Sequence, residues 1–288
     1  MAGTPLDALS FVSTPVLDTG LVAFEAETGE HDRYVMWRAA RELVDVTGRW
    51  PLLVWEGAPN LYRRDVYSHG DEVAAAPAAI IERGRAMSLA DAIDKTQAVG
   101  AKSERLYATQ EWDWHIEREL GLTRARIGDR APSSAEVARV IGAPDLGRLT
   151  HLLFDIEEHH RPTTAREPHP DCVPWQDEER TLVLLPTPHG YEVPAFADYN
   201  ICAGGWAPGD GQPALIAALR SWEERFGAEI MVNGFTWLHL QVARPPTDVS
   251  TAHALAWELR IFGLPDPENR THARDLIDRR DWYLQERM

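Results

Sequence analysis

Four of the eleven histidines in this chain fall within residues 151–172: His151, His159, His160 and His169. Glu157, Glu158, Asp171 and Cys172 lie among them. Imidazole, carboxylate and thiolate groups are all metal ligands. The spacing matches no zinc pattern, because there is neither HExxH nor CxxC. Residues 157–160 are consecutive, so on a helix they fan through about 300° and cannot all face one ion. His159 with Asp155 is the best i, i+4 pair. The plainer reading is a solvated helix end followed by a Pro-rich loop. We therefore expect no metal site and no bound cofactor.

A second set of reactive types surrounds the Gly-rich stretch 203–211. Glycines ahead of a helix can cradle phosphate. This stretch lacks the Lys-Ser/Thr of a P-loop and the GxGxxG spacing, and Asp210 would repel phosphate. Cys202 follows Asn200 closely, with His189 or His239 as a conceivable base. A nucleophilic cysteine needs a lowered pKa and a base within reach, and a small buried residue is the plainer alternative. Trp112 and Trp114 belong to a content of eleven tryptophans. That content favours a cleft or a protein-binding face, unless the rings simply fill the core. Asn200, Cys202, Trp206, Trp237, His239 and Arg244 are the candidate lining of a ligand or partner site, because strand ends and loops are where such sites form.

Composition narrows the classes. The chain has 288 residues, 44% hydrophobic and 26% charged, which is ordinary for a globular protein. Its net charge of −16 is not ordinary. Such a charge disfavours nucleic acid and anionic membrane, and it suits a basic protein partner or a cationic ligand. Solubility alone is the competing explanation. Two cysteines make no disulfide framework. No basic start with an apolar core opens the chain, and no apolar run is long enough to span a bilayer. The expected location is the cytoplasm.

The elements that must position these groups are read from periodicity. Residues 16–26 read as a strand region broken at Thr19-Gly20, 32–47 as a helix stopped by Gly48, and 51–55 as a buried strand. Ser88 with Asp91 supports a helix over 89–98, and a further helix is expected over 103–120. Ser133 with Glu136 forms a capping box for 133–141, and 148–160 continues as a helix. Residues 161–179, with Pro162, Pro168, Pro170 and Pro174, cannot be one regular element. Beyond them, 181–186 and 191–196 read as a hairpin, the second strand weakened by Pro194.

The stretch Gln212–Pro246 is the most legible. Pro213 suits a first helical turn, and Leu215, Leu219, Trp222 and Phe226 recur at helical spacing up to Gly227. Ala228–Val232 is a strand, Asn233-Gly234 a two-residue turn, and Leu238, Leu240 and Val242 alternate along the return strand. Ser250 or Thr251 is expected to cap the next helix, and a last helix is expected over 271–284. Helix, glycine and strand occur in the same order in the N-terminal half, so an internal duplication is an open alternative to an ordinary α/β unit.

The helix end Trp222-Glu223-Glu224-Arg225-Phe226-Gly227, the hairpin behind it, the Arg244-Pro245-Pro246 stop and the Ala254–Leu259 helix resemble the domain-of-unknown-function 4253 family of bacterial proteins. The resemblance covers about 90 residues, from Tyr199 to the end. Two features depart from it. A Cys-Pro-Asp-like element is replaced by Phe262-Gly263-Leu264-Pro265-Asp266, and the Trp-rich acidic ending by Asp281-Trp282-Tyr283-Leu284. The resemblance implies a fold unit rather than a reaction.

Together these readings predict an α+β fold, with a mixed or antiparallel sheet, helices mainly on one face and a helical insertion in the middle of the chain. The expected organisation is an N-terminal α/β region (1–160), a Pro-rich linker or loop (161–180) and a C-terminal α+β domain (181–288). Two functions fit. One is a non-catalytic module that binds a basic protein, as an immunity-type protein would. The other is an enzyme with a site near the Gly-rich loop and the hairpin.

Overall fold

The computed structural model describes residues 4–16, 21–28, 32–54, 76–97, 112–168, 181–197, 211–234, 237–263 and 269–285. Asn200, Cys202, Trp206, Cys172 and His169 lie outside the described residues, as does the Gly-rich stretch up to Asp210.

The fold is α+β, built on a seven-stranded mixed sheet ordered β1-β2-β4-β3-β5-β6-β7. The strands are β1 (Val12–Val16), β2 (Leu21–Glu27), β3 (Trp50–Val54), β4 (Thr181–Leu185), β5 (Ala228–Asn233), β6 (Trp237–Val242) and β7 (Asp281–Gln285). β3 and β5 are parallel and the other neighbours are antiparallel. β4, from the C-terminal half, lies between β2 and β3, so the sheet runs across the Pro-rich stretch. The runs WPLLV and TLVLL are buried at every position of β3 and β4. Continuous apolar runs are what strands covered on both faces require.

Pro51 sits inside this central region, where a missing N–H is normally costly. The β3–β5 ladder is short, pairing only Leu53 with Val232 and Val54 with Asn233. Upstream of it, two indoles supply the hydrogen bonds. Trp50 Nε1 donates to the Ile230 carbonyl at 3.0 Å, and Trp37 Nε1 donates to the Pro51 carbonyl at 3.0 Å.

Helix α1 (Arg33–Glu42) and the short α2 (Val44–Thr47) precede β3. α3 (Pro77–Ala86) is followed by a helical segment over 89–97, which carries the expected Ser88–Asp91 cap. The middle of the chain is helical: α4 (Trp112–Ile127), α5 (Ser134–Ile141) and α6 (Leu146–His160). The Ser133–Glu136 capping box is present. α7 (Gly211–Phe226) turns sharply into β5 at Gly227, whose φ of +60° is left-handed and whose added Cβ would lie 2.9 Å from that of Ala243. α8 (Val249–Phe262) and α9 (Asn269–Asp275) pack together before β7.

Four expectations are corrected. Asn233 and Gly234 are not the hairpin turn: Asn233 ends β5 opposite Leu238, and the Gly234 N–H donates to the Trp237 carbonyl at 2.9 Å, so the chain reverses beyond Gly234, outside the described residues. Residues 190–195 form a 3-10 helix rather than a strand. The buried Thr187 hydroxyl bonds Glu192, and the His189 N–H donates back to Thr187 Oγ1, so side chains tie the chain into a local turn. Asp248, not Ser250 or Thr251, caps α8 by accepting from the Thr251 N–H at 2.9 Å. The last helix stops at Asp275. After Asp278, with its φ of 55°, the chain becomes β7 and pairs with β6. Trp282 and Leu284 are buried there at strand period, and their burial overrides a weak helical pattern.

Candidate functional site

The hairpin residues go to different places. His239 is 6% exposed, with its ring 4.3 Å from that of Tyr283 on β7 and edge-on to Tyr34 of α1 at 6.3 Å. Burial, and then the Arg279 cation, push its pKa down to about 3, and its Nε2 has no hydrogen-bond partner. It is a neutral ring in an aromatic layer, covered by the strand that sequence periodicity read as helix. Trp237 is half-buried against the core, and its indole sits so close to Gly234 that any Cβ there would collide with it. Arg244 lies past the other end of β6. Its Nη2 donates to the Glu224 carbonyl at 3.1 Å and the Glu223 carbonyl at 3.4 Å, closing the C-terminus of α7. Trp237 and Arg244 are thus roughly 20 Å apart along the strand direction.

The side chains that do converge were not singled out by pattern. At the corner where α7 passes into β5, Glu223 lies in the field of Glu229, Arg41 of α1, and Tyr191 and Glu192 of the 3-10 helix, and Arg85 of α3 joins them through Tyr191 and Glu192. Arg41 donates to Glu229 through Nε (3.0 Å) and Nη2 (2.5 Å) and lies over the Trp50 ring at 4.6 Å. Arg85 pairs with the buried Glu192. Gly190 lets the 3-10 helix sit against the Trp50 ring, since a Cβ there would lie 2.5 Å from Cζ2. His189 stacks on Tyr191 at 5.0 Å.

Both cations at this corner are engaged, and Glu223 Oε2 is buried with no hydrogen-bond partner. Burial, and then the Glu229 charge, raise the Glu223 pKa to about 7, with Arg41 pulling the other way. Tyr191 is raised by burial and then by Glu192. A carboxyl poised near neutrality can accept or release a proton, or receive a cation. In sequence, Glu223 is one more polar residue on the outer side of an amphipathic helix. Its neighbours come from positions 41, 85, 192 and 229, which no local signal links.

A second cluster lies between the middle helices and α9. Arg270 donates to Glu119 Oε2 and Thr123 Oγ1, each at 2.8 Å, and pairs with Glu157. Arg274 reaches Glu157 Oε2 at 2.6 Å and Glu158 Oε1 at 2.9 Å. Glu119, Glu157, Arg270 and Arg274 are all buried. Glu157 and Glu158 of the His-rich segment are therefore ion-pair partners. His151 pairs with Asp155 at 3.7 Å on the surface, and its ring stacks at 5.3 Å on buried His253, which itself stacks on Phe154. Among the described residues, no group of three or more His, Cys, Asp or Glu could hold a metal ion. None of the described helices is long and apolar enough to cross a membrane.

The part of the fold that runs from β4 through α7, the hairpin and α8 to β7 is a recognisable α+β unit. Residues 181–285 match the family described as a domain of unknown function (DUF4253), in keeping with the C-terminal resemblance. No curated protein and no solved structure matches the chain. Arg41, Trp50 and Arg85 enter the carboxylate corner from outside the matched residues.

Proposed function

We propose that this chain is a non-catalytic binding module for a basic protein partner, as an immunity-type protein that neutralises a cationic effector would be. The distribution of charge carries the reading. Asp and Glu number 45 against 29 Lys and Arg. Many arginines are engaged internally. Arg41, Arg85, Arg270, Arg274 and Arg279 hold carboxylates, while Arg49 and Arg244 hold backbone carbonyls. These arginines are thereby taken up inside the fold, while Glu42, Asp45, Asp113 and Asp129 are among the exposed acids of the described residues. Such a field speeds encounter with a basic surface and weakens with salt. Glu223 offers a place where an incoming ammonium or guanidinium group supplies a missing counter-charge. Neither nucleic acid nor an anionic membrane fits this field, and a cytoplasmic meeting with the partner is part of the proposal.

The test is affinity capture from the native host at low salt. A stoichiometric basic protein that dissociates as salt is raised supports the reading. Capture of no stoichiometric partner at low salt overturns it.

One observation favours an enzyme instead: the Glu223 carboxyl, raised to about 7 beside Tyr191. On that reading it transfers a proton, because a catalytic pKa near the working pH is the effective one. Consumption of a metabolite in host extract by the wild type, lost in Glu223→Gln, would decide for it.

A further inference from the structure

We infer that residues 112–168 are a separately cored helical unit, latched onto the family region by the Arg270/Arg274 ion-pair cluster, and that the molecule opens at this seam before its sheet unfolds. Two observations carry this. First, α4, α5 and α6 close around their own apolar cluster of Ile116, Leu120, Val137, Ile141, Leu149 and Leu153, distinct from the core that contains the sheet. Second, the seam between the two is largely polar. Glu119 and Thr123 of α4 and Glu157 and Glu158 of α6 meet Arg270 and Arg274 of α9. Arg166 extends the seam through Asp275 at 3.1 Å, and the Glu167 N–H through the Arg274 carbonyl at 3.2 Å. The apolar contribution is narrow: Phe154 of α6 reaches into the sheet-side core and stacks on His253, and Gly147 is so close to Trp257 that a Cβ would lie 2.7 Å from the indole.

A buried ion pair adds little net stability, but removing one partner leaves the other charge stranded. Loss of a seam carboxylate therefore acts on the seam, while the apolar cores on either side keep their contacts. Opening uncovers the α8–α9 face with Arg270, Arg274 and His253, a cationic face on an otherwise acidic chain.

The test is a distance measurement on the full chain. Spin labels go on two exposed positions, Val46→Cys in α2 (83% exposed) and Val140→Cys in α5 (48%). The background is Cys172→Ser/Cys202→Ser. The parent should show one narrow distance. Glu157→Gln should add a longer population, rising from below about 1% to above about 10% of molecules, with near-ultraviolet dichroism of the buried sheet tryptophans kept. Glu158→Gln, at the 14%-exposed rim of the cluster, should do the same more weakly and guards against a misfolded first variant. A folded variant with an unchanged single distance overturns the inference. So does loss of both cores together in the two variants.

Discussion

Arg41 closes a two-pronged ion pair on Glu229 across 188 residues of sequence, and so leaves Glu223 only a share of that cation's field. The corner holds its charge unevenly. Glu229 and Glu192 have guanidinium partners, while Glu223 has an unpaired buried oxygen.

The stability contributed by Glu223 should fall as pH rises across its titration. Unfolded Glu223 ionises near its ordinary value of 4.5, and folded Glu223 at about 7. Between those values the folded state holds the extra proton. The contribution is therefore complete below pH 4.5 and lost as pH climbs through 7. The histidines act in the opposite direction below pH 6.5, so the readout is the difference: Tm of Glu223→Gln minus that of the wild type should grow more positive as pH climbs from 5 to 8. A constant difference would show that Glu223 titrates normally.

His239 has the opposite sign. Its pKa drops from 6.5 unfolded to about 3 folded, so the unfolded state binds the extra proton between those values. Stability contributed above pH 6.5 is lost as pH falls toward 3, at up to about 1.4 kcal/mol per pH unit. His253, lowered to about 4 by burial and then by His151, adds to the same slope. His239→Phe keeps the aromatic layer and should reduce the acid slope in denaturant titrations at pH 4–6.5, without abolishing it.

Gly84 is where α3 crosses α7. A Cβ there would lie 2.5 Å from Ile216 Cγ2. Gly84→Ala should destabilise by about 1–3 kcal/mol, despite the better helix propensity of alanine, because overpacking outweighs it. A more stable variant in chemical denaturation would mean that the two helices separate cheaply.

Trp222 is fully buried and donates Nε1 to Glu258 Oε2 at 2.8 Å, and that carboxylate also takes Arg225. Trp222→Phe removes the donor and leaves a void, so a loss of about 2–4 kcal/mol is expected. Leu219→Met, a volume-conserving change one turn away, should cost less than about 1.5 kcal/mol on the same assay.

Helix α7 shows how far a sequence reaches. Leu215, Leu219, Trp222 and Phe226 were legible as one buried stripe, and they are buried. The Ser133–Glu136 box and the stop at Gly227 were legible because they depend on contacts a few residues apart. The hairpin was legible too, but not its turn, since strand pairing carries Asn233 into β5 opposite Leu238. The strand at Asp281–Gln285 was not. Five residues carry little periodic signal, and their conformation is set by pairing with β6, some forty residues earlier.

The sequence by itself determined most local elements, the acidic balance and the family match of residues 181–285, since caps and periodic stripes act over one or two helical turns. The tertiary structure decided which groups meet. It put β4 between β2 and β3, covered His239 with β7, engaged Glu157 with Arg270 and Arg274, and isolated Glu223 among acids from distant elements. Burial and long-range charge set those outcomes, and both depend on neighbours that only the folded chain supplies.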